Sequence, residues 1–445
     1  MASEEEVRVV ESCFVTPAAD TPSRALRLSR LDLMLVHGGY TPVVHFYRPR
    51  TGDETTSGDF FDVTRLKTAL SKALVPFYPL AGRFKEGVDG RMEIDCNGKG
   101  MLFLVAHSGH VQWCYLKSAT NFEPSPKQRR LFVPHIDGSA GLLCAIQVTF
   151  LKCGSVVLGM ATHHGALDGT AMFHFLQTWT AFSRDGDRAL VDLPCHDRSR
   201  LYARDPPVVH PDALFVFCPK MILSQTSIVN KLEVFTVRKD HLSTLKLTCG
   251  GVSTFSALTA HTWQCMCLAR RLPPDSTTRL AFMANVRRRM TPPLPDGYFG
   301  NAIININVAE EAQSITCGDL AFVARRIKDT ISRVDDELVH SAVDYVELAL
   351  AERDNRHTPA MGNLPVTDIR VVNWLGLPFY DLDFSWGKPF AVMRAESSRG
   401  GLVHLMNSTQ GDGSVQLLIY TEAAILMEFK RLFYAKFDDM LHSEF

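Results

Sequence analysis

Residues 155–184, SVVLGMATHHGALDGTAMFHFLQTWTAFSR, constrain this chain more than any other stretch. Residues 155–161 are an apolar run of strand length that stops at His163 and His164. Residues 172–182 repeat apolar side chains at helical spacing through Met172, Phe175, Leu176, Trp179 and Phe182. Only the turn 165–169 separates them, so a buried strand must feed a covering helix within a few residues. Gly165 and Gly169 are expected to let that turn fold tightly. Alternation along a strand sends His163 and His164 to opposite faces, so one of them looks into a cleft at the strand end. Asp168 either folds back toward the histidines or pairs elsewhere and holds the turn.

The same grammar runs along the whole chain. Strands are expected at 8–15, 42–47, 143–151, 155–161, 232–237, 280–285 and 415–421, with a hairpin including 92–96 after the turn at 79–83. Helices are expected at 62–75, 172–182 and 254–270, within 318–350, and at 422–441. A polar stretch at 193–212 carries Pro194, Pro206, Pro207 and Pro211 and interrupts the pattern. The expected organisation is an N-terminal domain over 1–195, a linker at 196–215 and a second domain over 216–445, with a segment near 380–400 joining the first. The fold class is mixed α/β, with a mixed sheet and covering helices in each half.

Composition narrows the function. Lys and Arg number 47 against 48 Asp and Glu, so no global field draws the chain to nucleic acid or to an anionic membrane. The most apolar stretch, 141–161, is broken by Gln147, Lys152 and Gly154 and falls short of a membrane span. The 11 cysteines form no CxxC pair and are read as buried free thiols of a reducing compartment. The acidic MASEEEV start has no signal-peptide core. A cytoplasmic protein is expected.

Three readings compete for the two histidines. One is a structural histidine in an apolar strand. A metal site from His163, His164, Asp168 and His174 is disfavoured, because adjacent strand residues seldom converge on one ion. The third is a catalytic base, since a histidine near its ordinary pKa of about 6.5 accepts a proton at neutral pH.

The HHGALDG stretch resembles the HxxxDG motif of the plant BAHD acyl-CoA-dependent acyltransferases, with His164 and Asp168 at the motif positions. Further matches follow in order: LSKALVPFYPLAGRF at 70–84, TFSALTAHTW at 254–263, PPLPDGYFGNA at 292–302, and DFSWG at 383–387, where Ser385 replaces the middle glycine of DFGWG. Together they span about residues 8–440, and the pattern is most similar to hydroxycinnamoyl-CoA transferases.

The resemblance implies two chloramphenicol-acetyltransferase-like domains with a channel between them. It implies His164 as general base, acting without a covalent intermediate. It implies that Asp168 is structural, pairing with Arg287 of a D-x-R segment written here Asn285-Val286-Arg287, a departure expected to loosen local hydrogen bonding. Asp383 and Gly387 would shape a loop supporting the CoA side. Ser253 and Thr254 match positions near CoA, with a plain helix cap as the equal alternative.

Shikimate- and quinate-using relatives carry an Arg two residues after the Trp of VNSWTRLP; the matching stretch 371–378 keeps Trp374 and has Gly376 at the Arg position. Thr41, Val43 and His45 stand in a segment that lines the acceptor side in those relatives, with Val43 and His45 replacing Ser and Tyr. The expected reaction moves a hydroxycinnamoyl group from acyl-CoA, a co-substrate, to a small amine or alcohol. The alternatives are a shikimate or quinate transferase with Arg370 or Arg394 as a substitute clamp, and an inactive CoA-ester-binding or interaction protein. No bound cofactor, metal, nucleic acid or membrane is expected, and the resemblance implies a monomer.

Overall fold

The computed structural model describes residues 7–49, 60–109, 124–217, 223, 229–351, 363–396, 399–408 and 411–442. The chain forms two compact units. The first comprises 1–202, 295–301 and 377–397; the second comprises 203–294, 302–376 and 398–445. The stretch expected as a linker therefore divides at Tyr202, and Arg198 within it is buried in the first unit.

In the first unit, a six-stranded mixed sheet runs β1 (Arg8–Val15), β6 (Met101–Ser108), β7 (Cys144–Leu151), β8 (Val156–His163), β3 (Tyr40–Tyr47) and β13 (Ala391–Arg394). Only β6 and β7 pair in parallel. A small sheet of β2 (Ala25–Arg27), β5 (Met92–Asp95) and β4 (Arg83–Glu86) stands apart. The short helix α1 (Arg30–Leu33) precedes β3, and α3 (Pro126–Phe132) packs Leu131 and Phe132 with Val44, Phe46 and Val157. Helices α2 (Val63–Ala73) and α4 (Gly169–Asp185) meet where the fully buried Trp179 donates its indole N–H to the Leu66 carbonyl at 3.0 Å.

Helix α4 departs from the sequence expectation. It runs from Gly169 to Asp185 and buries more than one stripe: Phe173 is buried against Phe379 at 4.5 Å, while Met172 and Phe182 are only half-buried. The loop 377–397 covers a side of the helix that local periodicity treats as solvent-facing.

In the second unit, the mixed sheet runs β11 (Ile303–Glu311), β10 (Thr277–Asn285), β12 (Asp368–Asn373), β14 (Leu402–Asn407), β15 (Val415–Glu422) and β9 (Asn230–Val237). Helices α5 (Lys239–Thr248), α6 (Thr254–Ala269), α7 (Ala312–Thr316), α8 (Leu320–Ser332), α9 (Asp336–Ala351) and α10 (Leu426–His442) accompany it. Helix α6 is apolar on nearly every side, as befits a helix buried all round. Two of its large polar side chains find internal partners: Trp263 donates to Thr278 Oγ1 at 2.9 Å, and His261 Nε2 bonds the Phe433 carbonyl at 2.9 Å.

Nine cysteines lie among the described residues, and all are free thiols. Five are buried, but Cys153 and Cys317 are exposed, so the buried-thiol expectation fails for those two.

Candidate active site

Strand β8 ends at His163, and the turn into α4 holds the HxxxD residues. The two histidines differ sharply. His163 packs edge-on to Tyr40 at 4.9 Å and to Phe84 at 4.7 Å, and its Nδ1 accepts the Gly165 N–H at 3.2 Å. Burial, with His164 and His37 nearby, pushes its pKa down to about 4, so the ring is neutral at physiological pH. His164 is anchored through its main chain. Its N–H donates to the Gly39 carbonyl at 3.0 Å, and its carbonyl accepts from Asn301 Nδ2 at 2.8 Å.

The turn glycines serve differently from the expectation. Neither Gly165 nor Gly169 has a positive φ. Gly165 is needed for close approach: a Cβ there would lie 2.8 Å from Val36 Cα. At Gly169 a Cβ would meet only Leu377 Cδ1, at 3.2 Å.

Asp168, buried, is the N-cap of α4, its carboxylate accepting the Ala171 N–H at 3.1 Å. In the second unit, Arg287 is also buried. Asn285 Oδ1 accepts the Arg287 N–H at 3.0 Å, the bond a carboxylate would make there, so the Asn285 departure does not loosen this turn.

Beneath the HxxxD turn lies a polar cluster that sequence reasoning missed. Asp32 Oδ2 accepts from Arg198 Nη1 at 2.9 Å, from Ser29 N at 2.8 Å and from Ser29 Oγ at 2.6 Å. Both side chains of the Asp32–Arg198 pair are fully buried. Asp32 Oδ1 accepts from Asn301 N at 2.8 Å and from Asn301 Nδ2 at 2.9 Å. Arg198 Nη2 donates to the Ala166 carbonyl at 3.1 Å and to the Phe299 carbonyl at 3.2 Å. Deleting one partner of such a buried pair costs about 3–5 kcal/mol, because the other charge is stranded. The one sequence signal was the Ser29-x-x-Asp32 spacing of a capping box, which the structure forms.

The DFSWG loop docks on the opposite end of α4, about 22 Å along the helix from Gly169 at 1.5 Å per residue. Ser183 Oγ donates to the Phe384 carbonyl at 3.1 Å, and Arg184 Nη1 to the Asp383 carbonyl at 2.8 Å. Asp383 Oδ1 accepts the N–H groups of Ser385 at 2.8 Å and Gly387 at 2.9 Å, which closes the loop. Gly387 and Ser385 both have positive φ, +105° and +88°.

Of the other expected site residues, Ser253 caps α6 by accepting the Ser256 N–H at 3.1 Å and is exposed, with Thr254 next to it. Thr41 and Val43 are half-buried on β3 in the first unit. His45 on the same strand is fully buried opposite Leu158 and Val392, and burial lowers its pKa to about 4. A wall of an open pocket is therefore not where this side chain sits. Trp374 and Gly376 follow β12 in the second unit. Trp374 packs edge-on to His404 at 5.1 Å, and Gly376 has φ +81° with open space where a Cβ would project. His174 bonds the Asp192 carbonyl at 2.8 Å and packs on Phe77, so it does not join His163 and His164. Among the described residues, no group of three or more His, Cys, Asp or Glu could hold a metal ion.

Comparison with known proteins agrees with this architecture. The Transferase family profile matches residues 5–436. The chain is 38% identical to putrescine hydroxycinnamoyltransferase 1 of Oryza sativa subsp. japonica, over 96% of this chain and 98% of that one. It is 36% identical to shikimate O-hydroxycinnamoyltransferase of Nicotiana tabacum and 36% identical to a hydroxycinnamoyl-CoA:5-hydroxyanthranilate N-hydroxycinnamoyltransferase of Avena sativa, each over 96% of this chain and 99% of the relative. The fold matches vinorine synthase with TM-score 0.72 at 21% identity, covering 95% of this chain and 96% of that one. It matches F. graminearum TRI101, solved with coenzyme A and T-2 mycotoxin, with TM-score 0.76 at 16% identity, covering 92% and 97%. With hydroxycinnamoyltransferase relatives at 36–38% identity along nearly its whole length, this chain is an acyl-CoA-dependent acyltransferase. The chain belongs to the BAHD family of these enzymes, among relatives that are hydroxycinnamoyltransferases.

Proposed function

We propose that this enzyme transfers a hydroxycinnamoyl group from its CoA thioester to a small amine, or secondarily to an uncharged alcohol, with His164 as general base. The observation that carries the base assignment is the division of labour between adjacent histidines. His163 is committed to packing and to the Gly165 N–H, whereas His164 is fixed by its backbone on both sides. In the proposed step, His164 takes the proton lost by the attacking nitrogen or oxygen as that atom bonds the thioester carbonyl. The tetrahedral intermediate collapses, the C–S bond breaks, and the departing thiolate recovers the proton from His164. Holding both substrates at one base supplies the proximity that a covalent intermediate would otherwise provide. The exposed Ser253 and half-buried Thr254 at the α6 start suit the CoA phosphates.

Three observations favour an amine over shikimate or quinate. Two of the relatives named above act on putrescine or as an N-transferase. Gly376 brings no guanidinium, and at φ +81° an arginine there would be strained. The candidate substitutes are already engaged: Arg394 Nε donates to the Glu396 carbonyl at 2.8 Å, and Arg370 reaches Met283 sulfur at 3.0 Å. The test is kcat/KM with p-coumaroyl-CoA against putrescine, agmatine, spermidine, tyramine, tryptamine, glycerol, shikimate and quinate. Shikimate or quinate as the best acceptor would overturn the amine reading. His164→Ala should lower kcat by about 10²–10⁴ while the protein still binds CoA esters; retention of a third of the wild-type kcat would remove His164 as the base.

A further inference from the structure

We infer that Asn301 is a positioning residue for His164, held in register by the buried Asp32–Arg198 pair; the inference rests on the reading of His164 as the base. The two carbonyls that flank Gly165 are each gripped from this cluster. Asn301 Nδ2 holds that of His164 at 2.8 Å, and Arg198 Nη2 holds that of Ala166 at 3.1 Å. With the His164 N–H tied to the Gly39 carbonyl, the peptide groups on both sides of His164 are fixed. The direction of its Cα–Cβ bond is then set, and only the side-chain torsions remain.

The orientation of the Asn301 amide argues that this grip is its purpose. The residue is fully buried, and its Nδ2 donates to two acceptors at once, Asp32 Oδ1 and the His164 carbonyl. Flipping the amide would set its oxygen against both. The price of the observed orientation is that Asn301 Oδ1 is buried with no hydrogen-bond partner among the described residues. Packing alone would favour an apolar side chain at such a point. Asp32 fixes Asn301 through its main chain as well, and Arg198 adds the Phe299 carbonyl, so the segment 295–301 is clamped to the catalytic turn rather than merely resting on it.

A misplacement of about 1 Å at a catalytic group can cost about 10²-fold in rate. Asn301→Ala is therefore expected to lower kcat about 10–100-fold, leaving KM for p-coumaroyl-CoA within about threefold. Rates are normalised to the active fraction, read as p-coumaroyl-CoA binding stoichiometry by calorimetry. Asn301→Ser keeps one donor and should fall between wild type and Asn301→Ala; it replaces Asn301→Ala throughout should that variant not fold.

The deciding measurement is a double-mutant cycle using thiol release from p-coumaroyl-CoA with the best acceptor of the panel above. A residue acting through His164 has nothing left to position once the ring is gone, so the Asn301 variant should leave the residual rate of His164→Ala unchanged. Loss of the same factor in both backgrounds would overturn the inference, as would a wild-type kcat in both Asn301 variants. Failure of the base assignment itself is separately visible, because His164→Ala would then remain active on its own.

Discussion

Ser385 holds φ at +88°, a conformation that costs a residue bearing a Cβ roughly 1–2 kcal/mol. Its N–H is nevertheless bonded to Asp383 Oδ1, so the loop keeps the shape that a glycine would adopt freely. Ser385→Gly relieves the strain but returns about 0.5–1 kcal/mol of backbone freedom to the unfolded chain. The expected outcome is a net stabilisation of about 0.5–1 kcal/mol, read as a higher urea midpoint at unchanged m. A lower midpoint would mean that the serine hydroxyl does something the strain argument omits. At this scale the sequence was uneven. Positive φ at residue 385 could be posed as a question from the DFSWG spelling alone. The separation of His163 from His164 could not, because alternation assigns faces without saying which face carries Tyr40 and Phe84. The cluster of Asp32, Arg198 and Asn301 was also out of reach, since its members come from three distant stretches and touch only in the folded unit.

Helix α4 joins the two motif regions of the first unit, with the His164 turn at its N-terminus and the DFSWG loop at its C-terminus. Its positive end is served by Asp168, which caps the Ala171 N–H and places a carboxylate near the helix dipole. Asp168→Ala loses both effects and should destabilise by at least about 1–2 kcal/mol, whereas Asp168→Asn keeps the cap and should cost less. Chemical denaturation of the two variants separates the contributions. Equal losses would show that the fold needs the carboxylate's charge rather than its capping, as the expected partnership with Arg287 requires. Elements such as β8, α4 and α6 were legible because each is long and strongly patterned. Strands β13 and β14 escaped because they are short, largely apolar runs of four and six residues without a full alternation, and β12 because its alternation lasts only six residues. Helix α5 escaped because KDHLSTLKLT buries only Leu242 and Leu245. Sheet order was illegible for a different reason: β3 pairs with β13, in register Val44 to Met393, across most of the chain.

Across the whole molecule, the near balance of 47 basic and 48 acidic residues gives electrostatic self-repulsion little part in stability near neutrality. Among the described residues, no helix is long and apolar enough to cross a membrane. What tunes the fold's response to pH is instead its buried histidines. His45, His163 and His196 in the first unit, and His261 in the second, are each driven down to about 4, chiefly by burial. In the unfolded chain such rings take up a proton near pH 6.5. Between about pH 6.5 and 4 the unfolded state therefore binds more protons than the folded one. Stability is fully present above that window and is lost as pH falls through it, each ring contributing a slope of up to about 1.4 kcal/mol per pH unit. Tm measured from pH 7.5 to 5 should thus be flat at the upper end and fall increasingly below pH 6.5, before most carboxylates begin to titrate. His261→Phe tests the attribution, since this ring lies 4.8 Å from that of Phe433 and 5.3 Å from that of Phe437, in surroundings that accept an aromatic side chain. The variant starts lower at pH 7.5, because it loses the bond to the Phe433 carbonyl, yet its stability should decline by one proton's slope less. A Tm that stays level down to pH 5, or a His261→Phe slope identical to that of the parent, would show that the buried rings do not govern acid unfolding.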